Sequence, residues 1–339
     1  MCSLPHSAKK SRLRCLVTGG LGYAGAWISR HLAECGHEVC ILSRGEQKKD
    51  IGIPYSLVSA DLAALAPEEV ARLLPDDLDG IVHAASFNES FAPDYARKAL
   101  LITSLGTRNL LQALALHDRD SGRAAPLVIY LSTFHVYGRS EGDMDESCPT
   151  LPRNDYALTH LFGEEYCRLF ARTGGQPQIV LRVTNGYGAP RTPGSDKWYL
   201  LLNDLCRAAV RTREVRLRGP ASTLRDFVWL GDLAVAVEKL LRRPDLAGNI
   251  FNIASSASRS TGEIAALVAE AASHVLGEHI PVICPPEEAS RPQSHLSVNN
   301  KAVRDAIGIE FQDRMQEEIS SLLRLAASEP DAENPAAAQ

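Results

Sequence analysis

Residues 18–25 read T-G-G-L-G-Y-A-G. The apolar run LRCLVT (13–18) leads into them, and the amphipathic run AWISRHLAECG (26–36), closed by Gly36, follows. Strand, glycine-rich turn and helix start, in that order, form the phosphate corner of a dinucleotide fold. Gly19 permits the tight turn, Gly22 lets the backbone approach a pyrophosphate, and Gly25 lets helix and strand pack closely. The helix N-terminus then faces the negative phosphates. Tyr23 and Ala24, between these glycines, are counted with them as cofactor contacts.

Outward from this corner the same rhythm repeats. EVCILS (38–43) and YSLVSAD (55–61) are the next strands, a helix covers about 67–74, and DGIVHAAS (79–86) is the fourth strand. A long helix over about 94–117 precedes PLVIYLST (126–133), and a helix over 153–172 precedes QIVLRV (178–183). Strands separated by helices predict an α/β fold with a Rossmann-like, doubly wound parallel sheet. After residue 185 the pattern loosens into Pro/Gly-rich loops, short strands and helices at 197–211, 231–242, 261–275 and 300–307. The expected organisation is a dinucleotide domain over 12–185, completed by about 226–256 if FNIAS (251–255) returns to the sheet. A smaller substrate lobe takes 186–225 and 257–328, and the tail 329–339 is expected to be disordered.

The end of the second strand discriminates between cofactors. An acidic residue there would accept the ribose hydroxyls of NAD. The chain has Ser43-Arg44, with Lys48 and Lys49 close behind. A hydroxyl and a guanidinium suit a 2′-phosphate, so NADP is favoured over NAD. Asp61, ending the third strand, is placed to accept from the adenine amine. Leu62, Ala84 and Ala85 complete the expected cofactor contacts.

Composition excludes several classes. The 339 residues are 45% apolar and 23% charged with a net charge of −5, which suits a globular enzyme and carries no signature of nucleic-acid binding. The N-terminus MCSLPHSAKKSR is polar and basic without a following apolar run, and no unbroken apolar stretch of about 18 residues occurs. A cytoplasmic chain with no membrane span is therefore expected. Eight cysteines without any C-x-x-C read as reduced packing residues, and no metal site is expected.

Seven motifs, in this order, carry a resemblance: TGGLGYAG (18–25), DGIVHAA (79–85), LSTFHVYG (131–138), Y-x-x-x-H (156–160), NGYGAPR (185–191), RDFVWLGD (225–232) and RPQSHLSVNNKA (291–302). Over about residues 13–310 the chain resembles an extended short-chain dehydrogenase/reductase of the NAD(P)-dependent nucleotide-sugar epimerase/dehydratase group. The resemblance implies that Thr133 hydrogen-bonds the reacting sugar oxygen and that Tyr156 is the acid/base. It implies that Asn185, Arg225 and Arg291 hold the nucleotide diphosphate. Lys197 and Trp198, in a segment expected to face the sugar and base, are candidate specificity contacts. It further implies a homodimer formed through the helices around 94–117 and 153–172.

Three departures limit the transfer, one being that a Gly-Asp pair common in the family's last motif is Gln293-Ser294, which weakens the alignment around Arg291. The family's lysine, four residues after the tyrosine, is His160, which on a helix shares a face with Tyr156. In place of the Asp-Glu pair of a sugar 4,6-dehydratase stands Phe134-His135, so water elimination of that type is not expected. His135 is read as a wall residue rather than a base near C5. The leading reading is an epimerase or oxidoreductase working through a keto intermediate, usually at C4 of a nucleotide-linked sugar. The competing readings are a cofactor-binding pseudo-enzyme or regulator, which the missing lysine supports, and a reductase of a non-nucleotide substrate.

Overall fold

A computed structural model describes residues 11–45, 47–89, 91–118, 124–195, 197–285 and 295–329. Seven parallel strands form the central sheet: β1 (Arg14–Thr18), β2 (Glu38–Ser43), β3 (Ser56–Ser59), β4 (Gly80–His83), β5 (Leu127–Thr133), β6 (Gln178–Val183) and β7 (Ile250–Ile253). Their spatial order is β7-β6-β5-β4-β1-β2-β3. The register places Leu16 of β1 beside Cys40 on one side and Ile81 on the other. Strand order reverses between β1 and β4, which is where open α/β sheets bind ligands beyond their strand ends.

Residues along these strands alternate between two cores. Cys15, Val17, Leu127, Ile129, Ile179 and Leu181 enter the cluster on one face. Leu16, Val128, Tyr130 and Val180 enter that on the other. Period-two alternation buried on both faces requires helices on both sides. Helices Tyr23–Glu34 and Leu230–Leu241 cover the first face, and Pro67–Leu73 and Gly106–Asp118 the second. The expected strand around 251–255 does return, pairing Ile250–Ile253 with Val180–Val183.

A further cluster unites helices Leu201–Arg211, Thr261–Leu276 and Met315–Ser328 around Leu205, Cys206, Val268 and Leu322. Helix Lys301–Ile307, expected with this lobe, instead packs beside β7, and its Val303 enters the sheet's core. Glu329, assigned to a disordered tail, accepts from the Trp198 indole N–H at 3.0 Å and from Arg211 through its carbonyl at 2.8 Å. Residues 330–339 lie outside the described residues.

The long helix predicted at 94–117 is three segments. Tyr95–Ala99 and Gly106–Asp118 are α-helical, and Leu100–Leu105 between them is a π turn. The wider turn exposes polar groups to neighbours. Thr103 Oγ1 accepts from Phe87 N at 3.0 Å, and Ser104 Oγ donates to the Thr159 carbonyl at 3.1 Å. The loop after β4 and helix Asp155–Gly174 are thereby tied together beside the sheet's C-terminal edge. Tyr95–His117 is by length and composition apolar enough to cross a bilayer, but 56% of its most apolar window is buried in the protein, as in a core helix.

Candidate functional site

A cleft of about 770 Å³ runs along the C-terminal edge of the sheet. At one end is the glycine turn. Gly19 has φ +67°, and a Cβ there would sit 2.9 Å from the Ala85 backbone. A Cβ on Gly25 would overlap the Gly19 carbonyl oxygen. Both positions therefore require glycine, for conformation in one case and close approach in the other. Helix Tyr23–Glu34 starts at Gly22 with no side-chain cap, so the first-turn N–H groups remain available to an anion. The Tyr23 hydroxyl points away, donating to the Gly188 carbonyl at 2.5 Å, and fixes the turn to the second half of the chain.

Ser43, Arg44, Lys49, Asp61, Leu62, Ala84 and Ala85 line the cleft beside this corner. Arg44 is exposed, and among the described residues it has no ion pair or hydrogen bond. Lys48 is turned away and donates to the Tyr55 carbonyl at 3.0 Å. Asp61 already accepts from Ala63 N at 2.9 Å through Oδ1.

Thr133 ends β5 and is 3% exposed. Tyr156 lies in the first turn of helix Asp155–Gly174, whose N-cap Asn154 accepts from Ala157 N at 2.9 Å. Such a cap is worth about 1 kcal/mol and fixes where the turn begins. Beneath them Glu164, fully buried on the same helix, receives Ser132 Oγ at 2.6 Å, Arg182 Nε at 3.0 Å and Arg182 Nη2 at 2.8 Å. This bidentate pair clamps the helix carrying Tyr156 to β5 and β6. It was not among the residues singled out from the sequence.

The electrostatics around Tyr156 follow from burial. Burial raises the phenol's pKa, and the hydrogen bond with the Thr133 side chain works against that rise. The His160 ring stands edge-on to Tyr156 with centroids 4.7 Å apart. Burial pushes His160 down to about 4, so it is neutral at neutral pH. Its Nδ1 lies 3.4 Å from the Tyr130 hydroxyl, and its Nε2 is buried without a hydrogen-bond partner among the described residues. His135 lines the same wall and is pushed down to about 4 by burial and by the Arg225 charge. Tyr95, missed from the sequence, also lines the cleft with a buried hydroxyl that lacks a partner among the described residues.

Arg225, on strand Leu224–Trp229, also lines the cleft. Burial lowers its pKa, and among the described residues no carboxylate or hydrogen-bond acceptor pairs with it. Its neighbour Asp226 is fully buried and accepts from Thr184 Oγ1, Ser255 N and Ser255 Oγ, which fixes the strand. Asn185 lines the cleft but spends one amide N–H on the Asp226 carbonyl at 2.7 Å. Lys197 lines it too, 3.6 Å from Glu89 across the opening. Trp198 does not. The backbone is left-handed at Lys197 (φ +48°), and the next side chain packs on the Leu205 cluster with its indole N–H on Glu329. Arg291 lies outside the described residues.

The glycine turn, the Thr133, Tyr156 and His160 side chains and Arg225 thus line one cleft. Comparisons with known proteins place the chain in a family. The family profile "NAD dependent epimerase/dehydratase family" matches residues 15–254. A putative UDP-glucose 4-epimerase of Methanocaldococcus jannaschii is 28% identical over 253 residues, covering 74% of this chain and 79% of its own. A GDP-6-deoxy-D-mannose reductase of Pseudomonas aeruginosa is 27% identical over 269 residues, covering 76% and 80%. The crystal structure of a putative epimerase from Burkholderia cenocepacia J2315 superposes with a TM-score of 0.76 at 25% identity, covering 95% of this chain and all of that one. With the glycine corner, the reversal of strand order and the Thr-Tyr pair at the sheet edge all in place, this chain belongs to the NAD-dependent epimerase/dehydratase family.

Proposed function

We propose that the protein is an NADP(H)-dependent nucleotide-sugar epimerase or ketoreductase acting at a sugar carbon, C4, through a keto intermediate. The observation that carries this reading is Arg225. A half-buried guanidinium without a counter-ion among the described residues lines the same cleft as the glycine turn, Thr133 and Tyr156. A desolvated cation of this kind costs free energy until an anion meets it, and a diphosphate fits.

The chain's own residues fit the cofactor. The glycine corner admits no side chain at Gly19 or Gly25, and the helix start is uncapped. Arg44 and Ser43 favour the 2′-phosphate of NADP(H). When bound, the cofactor supplies or accepts the hydride at the sugar carbon. Thr133 holds the sugar oxygen, and Tyr156 carries the proton that must leave or reach it. Burial keeps Tyr156 protonated and His160 neutral, so donation to a ketone is favoured over abstraction from an alcohol. Re-reduction of the ketone from its other face gives epimerisation, release of the ketone gives a dehydrogenase, and uptake of a ready-made ketone with reduced cofactor gives a ketoreductase. Exposed Leu100, Phe162 and Leu169 on the helices around 94–117 and 153–172 support a homodimer across that face.

Incubation with a panel of nucleotide sugars and their 4-keto derivatives, followed by NMR of the products, tests the reading. A product altered at C4 is expected. If the whole panel is recovered unchanged with either cofactor, the reading fails.

A further inference from the structure

A second cavity of about 240 Å³ adjoins the main cleft at Arg225. The two share Tyr199, Leu201 and Arg225, so a molecule with a diphosphate on Arg225 reaches both. The proton and hydride chemistry makes no use of this space. Leu201, Leu205, Leu217 and Pro220 give it apolar walls suited to a planar ring. Its charged lining besides Arg225 is Asp204, the mostly exposed Arg218, whose Nη2 lies 3.5 Å from Asp204 Oδ2, and Arg216, which is held by Glu214; Thr223 and Thr261 also line it. Asp204 stands on helix Leu201–Arg211, and its carboxylate is partly withdrawn from water. That withdrawal strengthens any N–H it accepts.

We infer that this cavity takes the guanine of a GDP-linked sugar, with Asp204 accepting N1–H and N2–H and Arg218 donating to the O6 side. The inference rests on the nucleotide-sugar reading above and follows from the pattern of donors. An ionised carboxylate offers two acceptors and no donor. Guanine presents two adjacent N–H donors, N1–H and N2–H. Uracil and thymine set a single N3–H between two carbonyl oxygens, whose lone pairs would face the carboxylate. Adenine and cytosine alternate an amino donor with a ring acceptor, which again opposes lone pair to lone pair. O6 adjoins N1, so an arginine beside the carboxylate meets the acceptor beside the two donors, and arginine pairs well with O6 and N7.

The test is calorimetric titration of GDP, UDP, dTDP and ADP into protein saturated with NADP⁺. GDP is expected to bind about tenfold or more tighter than the other three, the discrimination of one good bidentate pair. Asp204→Asn conserves volume but places an N–H₂ donor against a donor edge. It should weaken GDP about tenfold or more, leaving UDP and NADP⁺ within about twofold. Equal binding of the four diphosphates, or GDP affinity untouched by Asp204→Asn, overturns the guanine assignment and leaves the nucleotide-sugar reading standing. If no diphosphate binds to protein that holds NADP⁺, both fall.

Discussion

Replacing His160 by lysine should move the pH dependence of alcohol oxidation downward. Oxidation needs Tyr156 as tyrosinate, and in the native site burial raises the phenol's pKa. His160 supplies no compensating charge at neutral pH, because burial pushes it down to about 4. With ring centroids 4.7 Å apart, an ammonium at position 160 would lie roughly 6 Å from the phenol oxygen. At an effective dielectric of about 20 that charge favours the tyrosinate by about 2.8 kcal/mol, or about two pK units. The assay is kcat/KM for oxidation of the substrate found in the nucleotide-sugar panel, measured against pH for the native protein and His160→Lys. The native profile should still be rising at alkaline pH, and the variant's should reach its plateau one to two units lower, by the same order-of-magnitude estimate. Ketone reduction at neutral pH should lose ground relative to oxidation. An oxidative profile unchanged in the variant would refute the electrostatic account.

Arg44→Ala should weaken NADPH by about tenfold and leave NADH nearly untouched, since an exposed charge-assisted phosphate bond sits at the lower end of its range; fluorescence titration of both cofactors checks this. Arg225→Ala should raise KM for the nucleotide sugar about ten- to a hundredfold with cofactor affinity unchanged, from roughly 1.5–3 kcal/mol for a charge-assisted bond. A loss of cofactor affinity with KM unchanged would contradict the division of the cleft. Stability should fall in mild acid. Burial pushes His83 down to about 3, and His135 and His160 to about 4, below the unfolded value of about 6.5. The unfolded chain therefore binds more protons as pH falls from about 6.5 toward 4, and each histidine removes up to about 1.4 kcal/mol per pH unit. Urea unfolding across that range should show the loss, and His83→Gln should flatten part of it.

Much of the fold was legible because its signals are local. Alternation in β1, β5 and β6 and the glycine turn act within a few residues, and even the return of Ile250–Ile253 showed as a short apolar run. Thr133, Tyr156 and His160 reach one cleft because a strand end and the first turns of a helix meet at the C-terminal edge of the parallel sheet, and Arg225 joins them from a separate three-stranded sheet. What was not legible depends on tertiary contacts. Trp198 leaves the cleft because the backbone turns left-handed at Lys197 and Glu329 holds its indole. The Glu164–Arg182 clamp joins residues 18 apart on different elements, and neither shows a motif of its own. Helix Lys301–Ile307 has a pattern that fits either side of the molecule, and β7 settles its place. The π turn at Leu100–Leu105 accompanies hydrogen bonds of buried Thr103 and Ser104 to distant segments, which no periodicity reports.

The central claim, that Tyr156 carries the proton while hydride moves to or from a sugar carbon, meets its most direct test in Tyr156→Phe. The variant is titrated with NADPH and then mixed with the keto sugar that the native protein reduces, with single-turnover oxidation of the nicotinamide followed by absorbance. The account predicts native cofactor affinity with the rate reduced more than about a hundredfold, the loss of a positioned general acid. Reduction within a few-fold of the native rate, with the cofactor bound, would contradict it.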